Sequence, residues 1–279
     1  MKEIAPNVYI EQNSIGLYTG MLRSDTGMVL IDSPLKAPDG GFRKCAGDQD
    51  PCCKQCYMIV LDTNYDRLLS IKGSDCVIVA QSDAISPIRS RPTRISDDSQ
   101  SNTENPDITT AGSRMLLPEI IYDNQLTLHV DNLQVDLEHH PGSNYAGTWV
   151  EIPERKVVFV GDTVVVDQPP FLAYANLEAW DDDLKLLLSK RYKDYLIVSS
   201  RSGVVSNDHI NAMSKNITSI WKSFQILQEN SAPIDEWYSI IPQISARFSQ
   251  LDLFNSEIFY NRLHWGISTY FELNRREKG

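Results

Sequence analysis

Apolar and polar positions change their rhythm along this chain. From residue 7 to 33 they alternate and turn as strands do. Val8-Tyr9-Ile10 and Ile15 to Leu22 carry the alternation, Asp25-Thr26-Gly27 is a turn signal, and Met28-Val29-Leu30-Ile31 is an apolar strand that ends in Asp32-Ser33. Lys36 to Tyr57 reads as a connecting helix or loop, weakened as a helix by Pro38, Gly40, Gly41 and Pro51. Met58 to Leu61 and Cys76 to Ala80 are short buried strands, with Arg67 to Lys72 as a helical turn between them. Two hairpins follow. Gln125 to Val130 turns through Asp131-Asn132 into Leu133 to Leu137, and Trp149 to Ile152 turns through Pro153-Glu154-Arg155 into Lys156 to Val160.

The last third is helical in rhythm. Apolar residues at 177, 180, 184, 187 and 188 form a helical stripe, Tyr195 to Ser199 is a final strand, and helical patterns run over 207–229, 233–248 and 255–276. Asn207 or Asp208 can cap the first of these three, and Pro233 suits the start of the second. Between Ser86 and Arg114 apolar periodicity is lost in a run of serine, asparagine, aspartate, threonine and proline, which predicts a long polar loop inside a domain. No internal repeat is visible.

Composition sets limits on this picture. The 279 residues, 42% hydrophobic and 23% charged, suffice for one large or two small globular domains. A formal charge of -11 disfavours a nucleic-acid or anionic-membrane partner, and no stretch approaches the roughly 18 apolar residues of a membrane span. The opening Met1-Lys2-Glu3-Ile4-Ala5-Pro6 lacks the apolar core of a signal peptide, so a cytoplasmic location is expected. Four of the five cysteines, Cys45, Cys52, Cys53 and Cys56, crowd together while Cys76 stands apart. In a reducing cytosol a disulfide framework is disfavoured, and the leading reading is reduced, partly buried thiols on a short helix. A four-thiolate zinc site and a redox-sensitive pair are the alternatives, the former hindered by the divergent adjacent sulfurs of Cys52-Cys53.

Three segments carry a resemblance. Met58-Ile59-Val60-Leu61-Asp62-Thr63-Asn64-Tyr65-Asp66-Arg67, His140-Pro141-Gly142-Ser143-Asn144 and Val157-Val158-Phe159-Val160-Gly161-Asp162 follow one another in an order and spacing similar to the metallo-β-lactamase superfamily. The motifs of that family are His-x-His-x-Asp-His, Pro-Gly-His and Gly-Asp. The resemblance spans about residues 7–205 and implies an α+β fold, the four-layer αββα sandwich, with additional C-terminal helices. The implied domains are 1–205, the αββα part, and 206–279, a helical extension packed on it. A hairpin followed by an apolar strand ending in Asp-Ser is also how that family opens.

The family's metal-binding histidines are replaced. By the resemblance, Asp62, Asn64 and Arg67 stand at histidine positions of the first motif and Asp66 matches its aspartate. Ser143 stands where the histidine after Pro-Gly would be, Asp162 matches the bridging aspartate, and Arg201 is the best match to a last histidine. A guanidinium cannot ligate a cation and repels one at short range, but it can offset carboxylates left in a former metal cavity. The expectation is therefore an ion-pair cluster of Arg67 and Arg201 with Asp66 and Asp162, which avoids uncompensated charge with little net stabilisation. Binding positions in this reading are Arg67, Arg201, Ser143 and Asn64; no residue is assigned to catalysis and no cofactor is expected.

Competing chemistry is weaker. Asp62-x-Asn64-x-Asp66 opens like a calcium loop, yet Arg67 replaces the needed glycine and Gly73 the final glutamate. Oxygens of Asp62, Asn64, Asp66 and Asp162 holding magnesium, manganese or zinc would support an alternative, a residual hydrolase of an ester, thioester or lactam. His139 and His140 read as strand-end packing, His129 and His264 as a strand-face and a helix residue, and His209 as a capping or surface residue. Ser143 beside His140 lacks the Gly-x-Ser-x-Gly elbow of a serine hydrolase. Cys52 or Cys53 lacks a nearby base. The leading functional expectation is a pseudoenzyme that binds a small anion or a protein, as a homodimer or beside an active relative. The C-terminal rings Trp221, Phe224, Trp237, Tyr238, Phe254, Phe259, Tyr260, Trp265, Tyr270 and Phe271 are expected to pack; exposed together, they would mark a dimer interface.

Overall fold

Two β-sheets and a set of helices make up the computed structural model, which describes residues 1–12, 16–32, 55–64, 67, 76–90, 117–248 and 253–276. The first sheet holds β1 (Lys2–Ala5), β2 (Val8–Gln12), β3 (Tyr18–Arg23), β4 (Gly27–Ile31), β5 (Gln55–Ile59), β6 (Val77–Gln81) and β7 (Ile120–Tyr122) in sequence order. The pairs from β1 to β4 are antiparallel and those from β4 to β7 parallel. The second sheet holds β8 (Gln125–Val130), β9 (Leu133–His139), β10 (Thr148–Ile152), β11 (Val157–Phe159), β12 (Leu196–Ser199) and β13 (Gly203–Val205), in the order β13-β12-β11-β10-β9-β8. Its pairs from β8 to β11 are antiparallel, and β11 runs parallel to β12.

The period-two pattern becomes a core. Val29, Ile31, Ile59, Leu61 and Val79 of the first sheet share one apolar cluster with Val130, Val135, Leu137, Val150, Ile152, Phe159 and Val198 of the second. The alternate residues of the first sheet, Met21, Met28, Leu30 and Met58, form a second cluster, against which Cys56 and Cys76 pack. Strand β4 is thus buried on both faces, which is why its text is continuously apolar. Tyr122 sits at this core with its hydroxyl 2.7 Å from Thr148 Oγ1. Burial pushes its phenol well above the ordinary range, and the Thr148 hydrogen bond offsets this in part.

The described α-helices are α1 (Ile85–Ser90), α2 (Leu177–Leu187), α3 (Asn207–Glu229), α4 (Ile234–Tyr238), α5 (Ile241–Ser245) and α6 (Leu253–Arg276). Helix α1 replaces the start of the expected polar loop, because Ala84 and Ile88 are buried at helical spacing. The remainder of that loop, 91–114, lies outside the described residues. The expected helix over 233–248 is divided: Pro242 lacks an N–H and sits in the first turn of a new helix, α5. The cap of α3 is Ser206, one residue earlier than expected. Its side chain accepts from the His209 backbone while the His209 ring accepts from the Ser206 N–H, a reciprocal capping box. Strands β1, β7 and β13, three or four residues long, are too short to be legible as periodic text.

The cysteine expectation needs correction. Cys56 lies on strand β5 rather than on a short helix, and it is disulfide-bonded to Cys76. Adjacent parallel strands bring the two together, since β5 and β6 pair Tyr57 with Val77 one residue further on. Cys45, Cys52 and Cys53 lie outside the described residues. Among the described residues no helix is long and apolar enough to cross a membrane.

By compactness the chain divides into two units. One comprises 1–139, 146–161 and 195–204 and contains both sheets; the other comprises 140–145, 162–194 and 205–279 and contains helices α2 to α6. One of the crossing points falls between Val204 and Val205. In the second unit the aromatic rings lock helices together. Phe224 of α3 lies 4.8 Å from Trp237 of α4 and 4.9 Å from Tyr270 of α6, ring centre to ring centre, and Trp237 meets Phe271 at 5.3 Å. Phe224 and Trp237 are buried, whereas Tyr260 is half exposed. His264 stacks on Tyr238 within α6 and α4, and His129 is exposed on β8.

Candidate functional site

In the sheet-bearing unit, four strand ends converge on one side chain. Strand β4 ends at Ile31, and Asp32 turns the chain with φ 48°, a left-handed conformation that aspartate tolerates better than most residues. Its N–H donates to Ile59 O at 2.9 Å, which fixes it beside the end of β5. Beyond β5, Val60 and Leu61 continue the buried run into Asp62, Thr63 and Asn64, all three 2% exposed or less. Strand β12 leads into Ser200, whose N–H donates to Gly161 O beyond β11. Carboxyl ends of parallel strands are where open sheets place their functional groups.

Arg67 fills the space between these ends. Its side chain is wholly buried, Nη1 lies 3.0 Å from Asp32 Oδ2, and Nε lies 3.2 Å from Asp62 Oδ1. Nη1 also donates to Ser200 Oγ at 2.9 Å. The carboxylates have amide donors as well: Leu61 N–H to Asp32 Oδ1 at 3.0 Å, Asn64 N–H to Asp62 Oδ1 at 2.8 Å, and Asn64 Nδ2 to Asp62 Oδ2 at 3.3 Å. The Arg67 N–H donates to Asn64 O at 3.0 Å, so the same short turn supplies both the guanidinium and one partner. Gly161, with φ 58°, stands at the edge of the cluster, where a Cβ would lie 3.6 Å from Nη1. One cation with two anions in a dry site is tolerable only because so many donors share the negative charge.

The expected residues are distributed as follows. Asp62, Asn64 and Arg67 come together. Asp66 lies outside the described residues. Arg201 is half-buried, with its backbone N–H 3.1 Å from Ser199 Oγ. Asp162 and Ser143 are buried and belong to the helical unit. Two members of the cluster, Asp32 and Ser200, were not among the expected site residues. The signal for Asp32 was present: a strand buried on both faces that ends in a carboxylate requires a partner for it.

In the helical unit the Pro141-Gly142-Ser143 turn is held by α2. Asn176 N–H donates to Gly142 O at 2.9 Å, and the space a Cβ at Gly142 would need is taken by the Trp180 backbone and the Asp183 carboxylate. His140 Nδ1 lies 2.7 Å from Asp183 Oδ1, and Trp180 Nε1 donates to Thr163 O at 2.8 Å. The turn has the close helix approach that only glycine permits.

Among the described residues, the donors around Arg67 do not suit a divalent metal. Zinc needs thiolate, imidazole or carboxylate lone pairs directed at one point. Here the oxygens of Asp32 and Asp62 are directed at a guanidinium and at amides, and the fixed positive charge of Arg67 opposes a second cation. Among the described residues, no three of the His, Cys, Asp and Glu side chains form a metal-binding group.

Comparison with known proteins establishes the fold. No protein-family model matches the chain, and no curated protein matches it in sequence. Solved structures do. A metallo-β-lactamase from Pontibacter korlensis is 14% identical with a TM-score of 0.56, the match covering 78% of this chain and 97% of that one. The DIM-1 metallo-β-lactamase is 12% identical with a TM-score of 0.58, covering 78% and 96%. The inverting sec-alkylsulfatase Pisa1 from a Pseudomonas species is 13% identical with a TM-score of 0.66, covering 97% of this chain and 49% of that one. The chain therefore spans about half the length of the alkylsulfatase. At these identities the likeness is one of fold: mixed α+β, two sheets and C-terminal helices.

Proposed function

We propose that this chain of metallo-β-lactamase fold is a pseudoenzyme, in which an ion-pair cluster has replaced the metal and the protein acts by binding. The observation that carries the reading is Arg67, wholly buried between Asp32 and Asp62 at 3.0 and 3.2 Å. A metal hydrolase generates hydroxide at neutral pH by lowering the pKa of bound water from about 15.7 to about 7. A guanidinium in that place binds no water as a Lewis acid does, and it holds the two carboxylates that could otherwise serve as ligands. The cluster instead keeps the strand ends in register without a cofactor. Binding or scaffolding is the role left to such a fold, with a protein or small anion as partner.

The cytoplasmic location expected from the sequence is not part of this reading, because a formed Cys56–Cys76 disulfide is at odds with a reducing compartment.

Elemental analysis tests the proposal. Protein purified without chelator, then incubated with zinc or manganese and desalted, should hold less than about a tenth of an ion per chain. One or two ions per chain, retained when Cys45, Cys52 and Cys53 are replaced by serine, would overturn the pseudoenzyme reading and revive the hydrolase.

A further inference from the structure

We propose that the Cys56–Cys76 disulfide is a redox-sensitive clip on the Arg67 site, so that its reduction loosens the segment carrying Asp62, Asn64 and Arg67. The inference deepens the reading above, since the gated residues are those of the same site.

The argument is one of chain connectivity. The bond joins residues 20 apart in sequence, and everything between them, including the whole run from Asp62 to Arg67, lies inside the covalent loop. Its two cysteines occupy the entrance to strands β5 and β6, while the Arg67 cluster occupies the exit from β5. Inside the loop, Asp62 and Asn64 supply three of the bonds that hold the cluster together. With the clip closed, the loop has few open conformations to escape into. With it open, the same segment is held by non-covalent contacts alone: the pairing of β5 with β4 and with β6, and the backbone bonds of Ile59, Val60 and Leu61 to Asp32, Val79 and Thr148.

The clip is also reachable. Cys56 and Cys76 are half-buried, at the edge of the methionine cluster and not in the main core. A dithiol reductant attacks one sulfur, giving a mixed disulfide and releasing the other cysteine as a thiolate. Its second thiol then displaces the first cysteine. Two electrons reduce the S–S bond to two thiols, and the dithiol becomes its own cyclic disulfide.

Two measurements on the full chain test this. Peptide mapping of the protein alkylated in denaturant should find Cys56 joined to Cys76 before reduction and both cysteines alkylated after it. Amide hydrogen exchange of native protein should then show residues 60–67 exchanging at least tenfold faster with dithiothreitol than without, while β8 to β10 are unchanged. The double variant Cys56→Ser/Cys76→Ser should show the fast exchange with or without reductant. Its melting temperature should be lower by roughly 5–10 °C. Cys56 and Cys76 both alkylated before reduction would overturn the proposal. So would exchange at 60–67 that does not respond to reductant, or that rises equally throughout the chain, which would mark a purely global staple. Metal content does not enter either readout, so failure of the clip and failure of the pseudoenzyme reading are separable.

Discussion

Arg67 is worth more for what its loss would leave behind than for what its presence contributes. A buried ion pair roughly balances desolvation against attraction, but truncating one partner strands the other. Arg67→Ala should therefore lower the unfolding free energy by about 3–5 kcal/mol, read from urea midpoints, because Asp32 and Asp62 would remain dry and uncompensated. Converting both aspartates to asparagine in an Arg67→Met background should recover much of that loss. A cost for Arg67→Ala below about 1 kcal/mol would mean that the carboxylates are neutralised by some other means. Asp32 shows how a residue 35 positions away completes a site that local motifs only half describe.

Among the elements, the pairing of α2 with α3 offers a pH-dependent contact. Asp181 of α2 lies 2.7 Å from Lys185 Nζ one turn along, and it accepts a hydrogen bond from Thr218 Oγ1 of α3 at 2.7 Å. Burial pushes the Asp181 carboxyl up, but Lys185 and Thr218, with the charge of Lys222, outweigh it and hold the pKa below its ordinary 3.8. A carboxylate with a depressed folded-state pKa stabilises the fold above its unfolded value and ceases to do so as pH falls through the folded value. Asp181→Asn should thus be less stable than the unaltered protein at pH 7, and the two denaturation midpoints should converge below about pH 3.8. Equal midpoints at pH 7 would show that solvent screening at the exposed Lys185 cancels the contact.

At the scale of the molecule, the two compact units are not consecutive stretches of chain. The polypeptide passes from the sheet-bearing unit to the helical unit and back more than once. Neither unit can be released intact by unfolding the other from one end, so a single cooperative transition is expected. Tryptophan placement makes this measurable: Trp149 is in the sheet-bearing unit, and Trp180, Trp221, Trp237 and Trp265 are in the helical one. In a Trp149→Phe variant, fluorescence reports the helical unit alone while far-UV circular dichroism reports both. The two urea curves should superimpose, and separated midpoints would show independent unfolding.

Periodicity and local chemistry made part of this protein legible before any tertiary contact is known. Alternation at Gln125 to Leu137 and the stripe from Leu177 to Leu187 became β8, β9 and α2, because burying one face of an element needs no knowledge of its partner. The order of three motifs was enough for the fold, and Asp62, Asn64 and Arg67, singled out from the first motif, do come together. The rest depended on contacts between residues far apart in the chain. Tertiary structure chose Asp32 and Ser200 as companions of Arg67, since the ends of β4 and β12 meet β5 only after the sheets form. It also joined Cys56 to Cys76, because parallel pairing brings distant residues side by side with no trace in the local text. Short strands such as β7 and β13 were likewise decided by their neighbours, their hydrogen bonds coming from adjacent strands rather than from any pattern of their own.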